Sequence, residues 1–153
     1  MLHKISFCIF EFPLHLCVKH KRFMQKLIEC VPNFSEGNDM NIINQITAEI
    51  ETVEGVRLLN VDPGKATNRT VVTMVGNPEA IINAAFLAIK KAGELIDMSK
   101  HKGEHPRMGA TDVCPLIPIA NISMEETAKY AQKLAKRVGE RSEERRVGKE
   151  CCR

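Results

Sequence analysis

The chain has 153 residues, of which 44% are hydrophobic and 27% charged, as expected for one soluble globular domain with a single core. A net charge of +3, an aromatic content of 5% and the lack of tryptophan argue against a surface that binds nucleic acid. The six cysteines are scattered without a CxxC pair, which favours reduced thiols and a cytoplasmic protein.

Both ends differ in composition from the middle of the chain. In residues 1–23 a short apolar run precedes a basic run, the reverse of a secretory signal, and the apolar run is too short to span a bilayer. We interpret this segment as a non-native or mis-called extension, with a targeting segment as the alternative. Residues 141–153 have few apolar side chains and end in two cysteines, and we interpret them as an artefactual tail. The informative domain is then residues 24–140.

The middle of the chain predicts seven elements in the order β-α-β-β-α-β-α. Cap residues mark the helix starts: Asn38 or Asp39 for the first, Asn77 before Pro78 for the second, and Ser123 in a capping box for the third. β-Branched and apolar runs between turn residues predict four strands. The predicted strands are Lys26–Pro32, Val56–Val61, Arg69–Val75 and Asp112–Ile119.

This order predicts an α/β protein of the α+β kind with a βαββαβ, ferredoxin-like arrangement. We expect a mixed, mostly antiparallel sheet with its helices packed on one face. Three polar loops interrupt the predicted elements, and functional groups concentrate on loops that a rigid scaffold holds. These loops are Asn33–Gly37, Asp62–Asn68 and Lys100–Gly109.

The third loop carries the groups best suited to acid–base chemistry. Histidine exchanges a proton near neutral pH, and neighbouring cations favour the neutral form that a general base needs. His101 and His105 are the candidates, and Arg107 could bind a carboxylate in bidentate fashion. These residues alone leave open a simpler interpretation, in which both histidines are solvated surface residues.

Two other kinds of site fit the sequence poorly. His101 and His105 have the spacing of a zinc-binding helix, but Gly103 and Pro106 argue against a helix here, so we expect no metal. The Gly64-Lys65 pair lacks the upstream glycine and the following Ser or Thr of a phosphate-binding loop, which argues against nucleotide binding through it.

Three motifs, taken in order, resemble the N-terminal subdomain of the glutamate formiminotransferase family over about residues 25–140. The first reads LIECVPNFSEG from Leu27, and the second reads DPGKATNRT from Asp62. The third runs from LIDM at Leu95 through HKGEHPRMGA to DVCP at Asp112. Members transfer a formimino group from formiminoglutamate, or formiminoglycine in some bacterial relatives, to tetrahydrofolate. The resemblance therefore implies histidine degradation and tetrahydrofolate as co-substrate.

The resemblance also implies roles for individual residues. His105 matches the catalytic histidine, which takes the proton from the attacking folate nitrogen. Asp62 and Arg69 fall in matching blocks and are expected to bind substrate, as is Asn33 in the first motif. Arg107 is added from its charge and position. The family's transferase unit has a second subdomain, with folate between the two, so we expect this chain to be an incomplete, inactive part of a homodimeric parent. A non-catalytic folate-binding or dimerisation module is the alternative.

Overall fold

A computed structural model describes residues 25–104 and 108–141. The predicted base His105, Arg107, the segment 1–23 and the tail beyond residue 141 lie outside the described residues. The strands are β1 (Leu27–Cys30), β2 (Asn33–Phe34), β3 (Val56–Gly64), β4 (Arg69–Gly76), β5 (Thr111–Val113) and β6 (Leu116–Ala120). The helices are α1 (Met40–Glu51), α2 (Pro78–Leu95) and α3 (Met124–Arg141), with a 3-10 turn at Met98–Lys100.

The strands form one sheet that matches the predicted ferredoxin-like order. β4 lies at its centre and pairs with β3 on one side and with the successive strands β1 and β2 on the other. β6 continues the sheet beside β1, and β5 continues it beside β2. Every pairing among the described residues is antiparallel, so the sheet is antiparallel where we had expected a mixed one.

One proline ends a predicted strand and another divides one. Pro32 separates β1 from β2, and Pro115 separates β5 from β6, because proline has no N–H to donate to a neighbouring strand. The carbonyls of these prolines still accept bonds, from Val72 N at 3.0 Å and from Val31 N at 3.2 Å. The single predicted strand Asp112–Ile119 is therefore two strands, and Asn33–Phe34, predicted as a turn, is a strand.

The three helices cover one face of the sheet, as predicted, and the core lies between the two layers. Side chains of β4 alternate, with Val72 and Met74 fully buried beneath α2 and their neighbours partly exposed. Four alanines of α2 are completely buried, and their small size lets the helix approach the strands closely. They are Ala84, Ala85, Ala88 and Ala92.

The cap residues act as the sequence predicts. Asp39 accepts a hydrogen bond from Asn41 N and begins α1, and Asn77 accepts one from Ala80 N and begins α2. The Ser123 side chain accepts one from Glu126 N at the start of α3. None of the helices in the described residues is both long and apolar enough to cross a membrane.

A cysteine pair lies inside the core. Cys30 is fully buried on β1, and its Sγ is 3.5 Å from Sγ of Cys114, in the break between β5 and β6. Both are free thiols. The hydrogen bond with Cys114, followed by burial, raises the pKa of Cys30 far above its ordinary value.

The other face of the sheet carries no helix in the described chain. Residues paired directly across neighbouring strands point to the same face, so Val71, Asn33 and Val113 form one row across it. Val75, Glu29 and Ile117 form a second row. We call this surface the open face.

Candidate active site

The three polar loops meet at the end of the β3–β4 hairpin. The turn between these strands closes with bonds from Asn68 N to Lys65 O at 3.2 Å and from Thr67 Oγ1 to Gly64 O at 3.2 Å. A Cβ added at Gly37 would lie 2.5 Å from Gly64 O and from Arg69 N. The first loop therefore packs directly on the hairpin backbone, with room for glycine only.

The third loop reaches the same hairpin end from the other direction. A Cβ added at Gly103 would lie 2.6 Å from the carbonyl oxygen of Thr67 and 3.3 Å from Cβ of Asn68. Gly103 precedes His105 by two residues. The loop that carries the predicted base is thus held against the hairpin turn immediately before that residue.

The side-chain amide of Asn68 connects both loops to the hairpin. Its Oδ1 accepts hydrogen bonds from Gly37 N and from Asn38 Nδ2, each at 2.9 Å. Its Nδ2 donates to Lys102 O at 3.0 Å and lies 3.4 Å from His101 Nδ1. One amide therefore joins three segments that are about thirty residues apart in sequence.

The far end of the third loop is fixed by a different contact. Ser35, which is fully buried, donates from Oγ to Gly109 O at 2.7 Å, and its backbone N donates to Ala110 O at 2.9 Å. Thr70 Oγ1 donates to Glu36 O at 2.5 Å and secures the first loop to β4. Both ends of the loop around residues 105–107 are therefore anchored to the sheet.

Three of the predicted substrate-binding residues share the open face near this hairpin end. Asp62 and Asn33 are both paired with Val71, and Arg69 lies two residues before Val71 on the same strand. Asn33 is only 8% exposed, and its Nδ2 donates to Val31 O at 3.1 Å, so this group already holds the break between β1 and β2. Asp62 is exposed and Arg69 half-buried.

The charges at the hairpin end lack partners in the part of the chain that the structure describes. There, Arg69, Lys65 and Lys102 make no ion pair, and the carboxylate of Asp62 makes neither an ion pair nor a hydrogen bond. Many lysines elsewhere on the surface do pair with carboxylates. These are Lys26, Lys90, Lys91, Lys100, Lys133 and Lys136. In the described chain these three cations lie at one end of the sheet together with the carboxylate of Asp62, an arrangement that offers positive groups to an anion.

His101, the other acid–base candidate, lies beside Asn68. Because Asn68 Nδ2 can only donate, His101 Nδ1 must accept, which places the proton of a neutral ring on Nε2. That Nε2 is inaccessible to water and has no hydrogen-bond partner in the described residues. Within residues 25–104 and 108–141, no group of three or more His, Cys, Asp or Glu side chains could hold a metal ion.

A cavity of about 390 Å³ lies elsewhere, where α2 and α3 meet β5. Its lining in the described chain is mostly apolar and includes Ile89, Leu134 and Val138. It contains none of the uncommitted charges at the hairpin end, and its charged lining residue in the described chain is Asp112.

Sequence reasoning missed the residues that assemble this site. In the sequence Asn68 stands out only as part of the second loop and motif, and Ser35, Gly37 and Gly103 have no predicted role in the site. Their partners lie far along the chain, so local pattern carries no signal for them. The glycine in each of the three loops is the one local signal that two backbone segments could approach each other closely there.

Comparison with known proteins identifies the family. Residues 27–145 match the sequence profile of the formiminotransferase domain, N-terminal subdomain. The chain belongs to this family. It is 56% identical over 117 residues to the formimidoyltransferase-cyclodeaminase of Dictyostelium discoideum and 54% identical to that of Mus musculus, each alignment covering 76% of this chain. It is 46% identical over 115 residues, or 75% of this chain, to the glutamate formimidoyltransferase of Streptococcus pyogenes.

The formiminotransferase relatives are much longer than the aligned region. The chain spans 22% of the Dictyostelium and mouse proteins and 38% of the streptococcal one. Their shared transferase names place this subdomain in a family of transferases.

Proposed function

We propose that this chain is the N-terminal part of an enzyme that transfers a formimino group between formiminoglutamate and tetrahydrofolate, in histidine degradation. Family membership and the names of its relatives support a transferase. The proposal of formiminoglutamate as the donor rests on the charged residues at the hairpin end. Formiminoglutamate carries two carboxylates, and the uncommitted cations at the hairpin end suit such a substrate.

Arg69 is the strongest candidate for binding a substrate carboxylate. It is half-buried, and in the described chain its guanidinium makes no ion pair. A guanidinium can donate two parallel hydrogen bonds to one carboxylate, which gives orientation as well as attraction. Lys65 and Lys102 would add attraction without fixing geometry.

Asp62 and Asn33 would contact the substrate through different groups. The uncommitted carboxylate of Asp62 could accept a hydrogen bond from the amino or formimino group of a substrate. Asn33 has one amide hydrogen engaged with Val31 O, so it would contribute its remaining groups from a fixed position. Arg107 is proposed as a second carboxylate ligand from its charge and its place in the loop.

His105 is proposed as the general base. It would take the proton from the attacking folate nitrogen as that nitrogen adds to the amidine carbon. The bond between the amidine carbon and the glutamate nitrogen would then break, and that nitrogen would take the proton from His105 as glutamate leaves. The anchored loop supports this role, because a base works only when it is held within hydrogen-bonding reach of the proton.

We also propose that the active parent is a cytoplasmic homodimer and that this chain alone does not catalyse transfer. The alternative, a non-catalytic folate-binding or dimerisation module, is less favoured because the similar proteins are named as transferases. The donor could also be formiminoglycine, and comparing both donors in the same assay would decide between them.

A chimaera tests the proposal with this chain's own residues. Residues 27–140 would replace the matching segment of the Dictyostelium relative, to which the chain is 56% identical. We expect formimino transfer from formiminoglutamate by the chimaera and none by the 153-residue chain. His105→Ala should lower turnover by roughly two to four orders of magnitude. A folded but inactive chimaera, or near-normal turnover without His105, would contradict the assignment.

Arg69 has its own test and a matched control. Arg69→Lys retains the charge but loses the bidentate geometry, so KM for formiminoglutamate should rise by about tenfold or more. Arg57 lies on the same sheet, is exposed and also belongs to the open face through its pairing with Val75. Arg57→Lys should leave KM within about twofold, since it is far from the hairpin end. Equal effects of the two changes would exclude a specific role for Arg69.

A further inference from the structure

The amide of Asn68 has no spare hydrogen-bonding capacity. A side-chain amide has two acceptor sites on oxygen and two N–H donors. All four are used, by Gly37 N and Asn38 Nδ2 on Oδ1 and by Lys102 O and His101 Nδ1 on Nδ2. A group in this state cannot also bind substrate without losing one of these bonds.

Backbone partners fix the orientation of this amide. The N–H of Gly37 requires an acceptor, so Oδ1 must face it, and the carbonyl of Lys102 requires a donor, so Nδ2 must face it. The backbone of Asn68 has φ of 47°, in the left-handed region that asparagine adopts more readily than most residues. The backbone conformation and the hydrogen-bonding partners therefore both favour asparagine at position 68.

We propose that Asn68 is a positioning residue for formimino transfer. It holds the segment His101–Gly103, which leads directly to His105, at a fixed distance from the first loop and the hairpin. The catalytic consequence rests on the proposed function, whereas the position of the loop does not.

The rest of the site explains why this contact matters. Ser35 anchors the far end of the loop at Gly109 and Ala110, whereas Asn68 holds the near end. Lys102, Gly103 and Glu104 are exposed, so apart from the close approach of Gly103 to Thr67 few packing contacts would hold them if the amide were removed. Losing it should therefore let the near end of the loop shift while the sheet stays folded.

Two substitutions separate the halves of the amide. Asn68→Gly tolerates the left-handed backbone but removes all four side-chain bonds. Asn68→Asp keeps an acceptor for Gly37 N but loses the donor to Lys102 O. Asn121→Gly is the matched control, because Asn121 also has a positive φ, of 57°, and donates one bond, to Gln25 O, at the β6–α3 turn.

The loop's position can be measured in this chain without any reaction. Hydrogen exchange at the Gly37 amide should speed up by about tenfold or more in Asn68→Gly and stay near wild type in Asn68→Asp and Asn121→Gly. The ¹⁵N shift of His101 Nδ1 should change in both Asn68 variants and stay constant in Asn121→Gly. Unchanged Gly37 exchange in Asn68→Gly, or an unchanged His101 shift, would overturn the proposal.

Kinetics in the chimaera test the catalytic consequence. Both Asn68 variants should lower kcat by about 10- to 100-fold, since a misplacement of about 1 Å can cost 100-fold, and leave KM for both substrates within about threefold. Asn121→Gly should leave both constants near wild type. A kcat within threefold of wild type in both Asn68 variants would refute the positioning role. An inactive wild-type chimaera would count against the proposed function alone, because exchange and ¹⁵N shift still report the loop.

Discussion

Substitution of Gly103 by alanine tests how closely the loop that carries the predicted base must approach the hairpin. The added methyl would lie 2.6 Å from the carbonyl oxygen of Thr67 and 3.2 Å from its carbonyl carbon. Ordinary van der Waals contact begins at 3.4 Å, so the two backbones must separate by about 0.8 Å. Thr67 belongs to a hydrogen-bonded turn, so the exposed loop is the part that moves.

A shift of this size should affect catalysis more than stability. A misplacement of about 1 Å at a reacting group can lower the rate by about 100-fold, so turnover of the chimaera should fall by about 10- to 100-fold. Lys102 and Glu104 beside the new methyl are exposed and can move into solvent. The free energy of unfolding should therefore fall by less than about 1 kcal/mol.

Gly93 provides the matched control for this substitution. It lies in α2, and a Cβ placed there meets nothing within 4 Å. Gly93→Ala should raise the free energy of unfolding by up to about 1 kcal/mol and leave turnover unchanged. Steady-state kinetics measures turnover, and urea unfolding measures the stability of both variants. Turnover of Gly103→Ala within threefold of Gly93→Ala would refute the close-approach argument.

Further predictions concern the scaffold, each measured by urea unfolding of the chain. Asp39→Ala removes the cap of α1 and should cost about 0.5–2 kcal/mol, whereas Asn44→Ala on the exposed side of that helix should cost under about 0.5 kcal/mol. Ile50→Ala should cost about 2–5 kcal/mol and Ile50→Val about 0.5–1.5, because this side chain is completely buried. Equal losses of stability for the two substitutions in a pair would contradict the capping role of Asp39 or the complete burial of Ile50.

Cys30 gives the prediction for pH dependence. The pKa of the Cys30 thiol is raised in the folded state. The contribution of this group to the free energy of unfolding is therefore complete below pH 9.0, the ordinary thiol pKa, and is lost as the pH rises above it. Between pH 9 and 10 the free energy of unfolding should decline by at most about 1.4 kcal/mol per pH unit through this group. In the Cys30→Ala variant the free energy of unfolding should decline less steeply with pH. An identical dependence on pH in both proteins would exclude Cys30 as the cause.

Local signals in the sequence were enough to predict the helices and the order of elements. Asp39, Asn77 and Ser123 each cap a helix through bonds to residues two or three positions ahead, so the information lies within one turn of the chain. The strand breaks were harder to predict. Asn33 and Phe34 have the local character of a turn, but pairing with β4 and β5 places them in the sheet.

The site shows the same division between local and distant information. Polar composition indicated the three loops and the family motifs include them, and the structure brings all three to one end of the hairpin. The bonds of Asn68 span 30 to 34 positions in sequence. No local pattern specifies such partners, because the sheet register determines which loops meet. His105 and Arg107 remain predictions from the motif, since they lie outside the described residues.

The open face has a practical consequence for work on this chain in solution. Val113, Ile117 and Ile119 lie along it and are 52%, 38% and 54% exposed. Exposed apolar side chains in water favour contact with another apolar surface over hydration. Preparations of the chain alone should therefore grow in apparent mass as concentration rises, and Ile117→Lys with Ile119→Lys should suppress that growth by adding charge to the same strand.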